Sequence, residues 1–166
     1  EKSETSFVKI RLMHKLILTV YFLIILSYNA IMNDCIFCKI IKREAPADII
    51  YEDEEFIGFL NINSIHLGQS LLAPKKHYEN LYELQDNTLG KMAVLLKKIS
   101  IIVKKTVGAD GINLIMNMEE AAGQIVPHAH FHIIPRFLND GYKHWTGKSF
   151  PKDEFAEMAE KIRKSS

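Results

Sequence analysis

Apolar residues recur along this chain with two periods, and the change from one to the other separates strands from helices. Alternation, or short apolar runs bounded by turn residues, predicts strands over Ile49 to Glu52, Phe56 to Asn61, Ser70 to Ala73, Ile112 to Met118 and within Val126 to Arg136. The first two form a hairpin through the acidic turn Asp53-Glu54-Glu55. Helical spacing follows an N-cap at Asp86 or Asn87: Leu89, Met92, Leu96, Ile99 and Val103 share a face, Lys104 and Lys105 lie in the last turn, and Gly108 stops the helix. Leu95, Ile101 and Ile102 widen that stripe, which predicts either deep burial or a subunit interface. A terminal helix would carry Phe155, Met158, Ala159 and Ile162 on one face. Five strands gathered around one long helix, without regular strand-helix alternation, predict an α+β fold with an antiparallel sheet.

Composition narrows the class without naming a chemistry. At 166 residues, 48% of them hydrophobic, the chain has room for one domain with a sizeable core. A net charge of +1 gives no broad basic field, so no nucleic-acid partner is expected. Residues 1–31 read as a leader and residues 32–166 as the domain. Within the leader, Lys9, Arg11 and Lys15 precede the apolar run Leu16 to Leu26, which is short for a membrane span. It reads as a signal peptide started at Met13, as a membrane anchor, or as upstream sequence ahead of a start at Met32. The last reading predicts a cytoplasmic protein with no membrane contact, and the other two an exported or anchored one.

The chemistry concentrates in Val126 to Arg136, VPHAHFHIIPR. Alternate side chains of a strand project from one face about 6.8 Å apart, so His128, His130 and His132 are expected to share a surface while Ala129, Phe131 and Ile133 enter the core. A lone histidine there would be structural, but repeating a partly polar residue on one face has little packing logic. Two chemistries suit such a face: chelation of a transition metal, or a nucleophilic imidazole oriented by its neighbours. The only cysteines, Cys35 and Cys38, stand as C-x-x-C, which reads as a redox pair, as half of a zinc site or as idle thiols. The loop Glu119 to Gln124 holds Ala121-Ala122-Gly123, small residues that allow backbone N–H groups near an anion. Lys75 and Lys76 read as solvated charges.

The order of these features resembles the histidine triad (HIT) superfamily of nucleotidyl hydrolases and transferases, in its bacterial-type Hint branch. The resemblance is carried by CIFCKII from Cys35, the segment 59 to 63, the L-x-P-K-K-H stretch ending at His77, NLIMN ending at Asn117, AAGQ ending at Gln124, and the histidine segment. It implies a five-stranded antiparallel sheet with one long helix and a C-terminal helix, in a homodimer whose two sheets join with the long helices near the interface. It implies that His130 is the nucleophile, that the backbone carbonyl of His128 pins its ring, and that His132 sits against phosphate oxygens. Asn117 and Gln124 would contact phosphate and leaving group, and Asn61 the ribose. Ile36, Phe37, Ile40, Phe59 and Ile62 would form the slot for a purine base, although core packing explains each equally well. Cys35, Cys38, His77 and His128 would hold a structural zinc.

Three positions depart from the family pattern. Gln69 stands where many relatives carry a further histidine, and it can hydrogen-bond to substrate without carrying charge. Asn61 replaces the usual aspartate, and Ile125 replaces a hydroxyl or acid. The leading expectation is a hydrolase cleaving purine nucleoside phosphoramidates or related conjugates at the α-phosphate. A dinucleoside polyphosphate hydrolase, a nucleotide-binding or partner-binding module with weak catalysis, and a metal-only histidine strand are the alternatives.

Overall fold

The computed structural model describes residues 13–14, 16–23, 35–143 and 145–165. A short helix α1 (Ile36–Ile41) precedes strands β1 (Ile49–Glu52), β2 (Phe56–Leu60) and β3 (Ser70–Pro74). The long helix α2 (Asp86–Val107) follows, then β4 (Gly111–Ile115), β5 (Phe131–Arg136) and the terminal helix α3 (Lys152–Lys164). The strands form one antiparallel sheet in the order β1-β2-β3-β5-β4. The α+β architecture expected from the hydrophobic pattern is therefore the observed one.

Register divides the sheet into two faces. Leu72 pairs with Phe131, and Ser70 with Ile133. Leu72, Ala129 and Ile133 are buried in one cluster with Met92, Leu95, Leu96, Ile99 and Val103 of α2, and Phe131 packs against it. Burying each large aliphatic side chain of this layer contributes about 1.5–3 kcal/mol, so the α2 face holds most of the core's stability. The opposite face aligns Phe59, Leu71 and His132 across three strands. Phe59 and Leu71 pack there with Phe37, Cys38 and Ile40 of α1. Odd positions of β5 thus enter the α2 core, and His132 projects toward α1.

Several expected boundaries move. The N-cap of α2 is Gln85 rather than Asp86 or Asn87, with no side-chain cap, while Gly108 in the left-handed region ends the helix as expected. Strand β4 stops at Ile115, short of Met118, and β2 stops at Leu60. Of the residues that widen the α2 stripe, Leu95 is buried but Ile101 and Ile102 are largely exposed. Phe155, Met158 and Ile162 share a face of α3 that is likewise exposed. No helix among the described residues is long and apolar enough to cross a membrane. Residues 16–23 are helical with exposed apolar side chains. Apart from residues 13–14 the rest of the leader, and Met32 at the expected start of the domain, lie outside the described residues.

Candidate active site and metal centre

Only His132 lies on a strand, which corrects the expectation that all three histidines share one. The β3–β5 ladder ends where Leu72 faces Phe131, and β3 itself ends at Pro74. Further back, the histidine segment bonds elsewhere: Ala129 N–H donates to the Tyr78 carbonyl at 2.7 Å, and His128 N–H to the Val126 carbonyl at 2.8 Å. This irregular approach sends the three rings to different places. His130 and His132 remain neighbours, with ring centroids 4.9 Å apart. His128 turns instead toward His77, also at 4.9 Å between centroids.

His128 is fully buried and joins two sites. Its backbone carbonyl accepts a 2.6 Å hydrogen bond from His130 Nδ1. A carbonyl can only accept, so Nδ1 carries the proton and the lone pair of His130 lies on Nε2. The side chain of His128 makes a second such bond, Nε2–H to the Pro74 carbonyl at 2.8 Å, which leaves its Nδ1 unprotonated among sulfur atoms. Phe37 stands edge-on to His130, with centroids 5.0 Å apart, and also packs against His128 and Phe59.

Cys35, Cys38, His77 and His128 are all buried, and their donor atoms lie within 4.8 Å of one another. Tetrahedral zinc bonds of about 2.3 Å to sulfur and about 2.0–2.1 Å to nitrogen imply a sulfur–nitrogen separation of about 3.5 Å. Cys35 Sγ is 3.4 Å from His128 Nδ1, and Cys38 Sγ is 3.3 Å from His77 Nδ1 and 3.7 Å from His128 Nδ1. Cys35 caps α1, its sulfur accepting from Cys38 N–H, so the C-x-x-C spacing aims both sulfurs at one point. Burial, reinforced by Cys35, pushes the Cys38 thiol up to about 12, a cost that a divalent cation would reverse. These residues therefore fit a four-coordinate metal.

Burial also acts on the neighbouring imidazoles. It lowers the pKa of His130, opposed by the bond to the His128 carbonyl, and with the adjacent His130 charge it lowers that of His132 to about 4. Both rings are neutral at pH 7. In the unfolded chain they titrate near 6.5, so between about pH 6.5 and 4 the unfolded state binds more protons and stability falls with pH. We expect the chemical-denaturation midpoint to drop between pH 7 and 5, and the drop to be smaller in His132→Gln; identical slopes would refute it.

The other expected contacts divide into two groups. Phe37, Ile40 and Phe59 are buried in the α1 layer, whereas Ile36 is 44% and Ile62 98% exposed. Asn61 is partly exposed at the end of β2, on the same face as Phe59 and His132, and its side chain bonds the backbone of Asn63. Gln69 is buried, and its Oε1 accepts from Ile65 N–H at 2.9 Å, so it organises its own loop. Gln124 bridges segments: Oε1 accepts from Glu119 N–H, and Nε2 donates to the carbonyls of Glu79 and Val126. Asn117 Nδ2 donates to the Gly123 carbonyl, and Ile125 is 90% exposed. The small-residue loop differs from expectation, because the N–H groups of Ala122, Gly123 and Gln124 are engaged by the carbonyls of Glu119 and Glu120. Lys75 is not simply solvated; it pairs with Glu52 at 2.8 Å.

A five-stranded α+β sheet with adjacent imidazoles over a buried Cys₂His₂ cluster defines a small histidine-site protein. The HIT domain profile matches residues 42–139, and the chain belongs to the HIT family. It is 49% identical over 107 residues to an uncharacterized HIT-like protein of Methanocaldococcus jannaschii, covering 64% of this chain and 82% of that protein. It is 33% identical over 131 residues to the adenosine 5′-monophosphoramidase hnt1 of Schizosaccharomyces pombe, covering 77% of this chain and 95% of the relative. A zinc-bound histidine triad family protein from Mycobacterium smegmatis superposes with a TM-score of 0.64 at 34% identity, over 71% of this chain and 86% of that one.

Proposed function

We propose that the chain is a nucleotide hydrolase that cleaves purine nucleoside phosphoramidates, or related conjugates, at the α-phosphate. The observation that carries this reading is the 2.6 Å bond from His130 Nδ1 to the His128 carbonyl, which leaves Nε2 as the nucleophilic atom. Nε2 attacks the α-phosphorus, the bond to the amine breaks, and the amine departs with a proton from solvent, which the attacking water of the next step returns. Water then attacks the same phosphorus, the phosphorus–histidine bond breaks, and the mononucleotide leaves with His130 restored. His132, neutral and 4.9 Å from His130 between centroids, serves the phosphate oxygens. Asn61 takes the ribose; Ile36, Phe37, Ile40, Phe59 and Ile62 form the base slot; and Asn117 and Gln124 serve the phosphate and leaving group. The named activity of the fission-yeast relative supports the substrate class.

The Cys35, Cys38, His77 and His128 cluster holds zinc in this reading, a structural ion because protein fills all four positions. The chain works as a homodimer through the β4 sheet edge, where Leu114 is exposed, with Ile101 and Ile102 near the contact. A cytoplasmic location suits two cysteines kept reduced for metal. One observation favours weaker catalysis, in which nucleotide binding dominates: Gln69 is already committed to Ile65. Mass spectrometry after mixing with a slow adenosine phosphoramidate distinguishes the two. We expect a nucleotide adduct on the peptide containing His130, and binding with neither adduct nor turnover would overturn the hydrolase reading.

A further inference from the structure

The loop between β2 and β3, residues 61–69, is bonded as a unit. Asn61 N–H donates to the Gln69 carbonyl at 2.9 Å, Gln69 N–H to the His66 carbonyl at 3.1 Å, and Ile65 N–H to Gln69 Oε1. Ser64 Oγ donates to the Asn61 carbonyl. Gly68 closes the turn at φ +92°, where an added Cβ would lie 2.6 Å from Val107. A loop so constrained moves as one body, so whatever fixes one of its side chains helps fix Asn61.

His66 supplies such a fixing point. Its Nε2 lies 3.3 Å from Asp140 Oδ2, and its ring meets those of Phe137 and Tyr142 edge-on, at 5.1 and 5.6 Å between centroids. Asp140 is itself rigid, its side chain only 4% exposed. Arg136 binds it through two nitrogens at 2.7 and 2.9 Å, and the backbone N–H groups of Phe137 and Tyr142 donate to it. That bidentate guanidinium, with the N–H groups and His66, holds the carboxyl far below the usual carboxylate range. Arg136 also donates to Asn113 Oδ1 of β4, and it ends the strand that carries His132. A continuous path therefore runs from the His132 strand through Arg136, Asp140 and His66 to the Asn61 loop.

We infer that His66, anchored on Asp140, is a positioning residue that sets the Asn61 loop at the correct distance from the histidines to engage a nucleotide ribose. The inference rests on the hydrolase reading above. By register, Asn61 lies two strands from β5, a gap of roughly 10 Å, at the end of the strand whose Phe59 aligns with His132. His66 touches neither ribose nor phosphate, so it acts through the loop alone.

The test compares adenosine 5′-phosphoramidate with its 2′,3′-dideoxy counterpart. Wild type should show a lower KM for the ribose substrate. His66→Ala should raise the ribose KM about tenfold, the scale of one well-made contact, leave the dideoxy KM unchanged and keep kcat within about twofold. His66→Gln, which keeps a donor of similar reach, should restore most of the discrimination, and His66→Asn, which is too short, should not. That pair carries the test if the alanine variant fails to fold. Since KM reports folded molecules only, general destabilisation does not imitate the result. Unchanged discrimination in His66→Ala, or an equal kcat loss on both substrates, overturns the inference and spares the hydrolase reading. A wild type that turns over both substrates with one KM does the same. A wild type that turns over neither ends both.

Discussion

His130→Ala is expected to reduce phosphoramidate turnover by a factor on the order of 10⁴ while AMP binding stays within about fivefold, because the covalent route disappears and the binding contacts do not. The size of the effect follows from the geometry. His130 is 5% exposed and fixed by the His128 carbonyl and by the edge of Phe37, so no nearby imidazole can take its place. His128 faces the sulfur atoms, and His132 is held on its strand. His130→Asn gives a finer test, since a carboxamide can still donate to the His128 carbonyl and fill part of the volume. It should be as inactive as alanine but more stable. Turnover above a tenth of wild type in either variant would show that another group attacks phosphorus.

How far the sequence foretold this site depends on the kind of information each residue carries. Ala129, Phe131 and Ile133 occupy the core layer that alternation assigned them, because burial of apolar surface has a period that sequence displays directly. The cluster of Cys35 and Cys38 with His77 and His128 was legible only through family resemblance, since the spacing of C-x-x-C leaves its partners open. Periodicity misled where hydrogen bonding left the ladder: β3 stops at Pro74, the chain bonds to Tyr78, and so His128 and His130 precede the strand on which alternation had placed them. The contact from Asp140 to His66 spans 74 positions, and nothing local announces it. The i, i+4 spacing of Arg136 and Asp140 was its one visible trace. Gln69 and Gln124 show a similar limit, for composition identifies a hydrogen-bonding side chain but not the backbone group that engages it.

Removing the metal is expected to produce the second large effect, and to damage catalysis as well as stability. In the proposed zinc site, Cys35 and Cys38 belong to the turn that opens α1, His77 follows β3, and His128 belongs to the histidine segment. One ion would therefore join three segments that are otherwise linked by packing and a few backbone bonds. Without it, two thiols and two imidazoles stay buried with no cation between them, and breaking a buried site of this kind costs about 3–5 kcal/mol. Cys38→Ser, or exhaustive chelation, should thus lower the melting temperature by roughly 10 °C or more. The catalytic consequence follows from the double role of His128, whose Nδ1 faces the sulfurs while its carbonyl holds His130 Nδ1. If the imidazole loosens, the carbonyl loosens with it, and His130 loses the bond that selects its reactive tautomer. We expect kcat to fall about tenfold at a temperature where the variant remains folded, with KM changing less, and equimolar zinc to restore both properties in the chelated wild type but not in Cys38→Ser. Purified protein containing no zinc, with a melting temperature indifferent to chelator, would reduce the four residues to a buried polar cluster and detach the stability of α1 from the aim of His130.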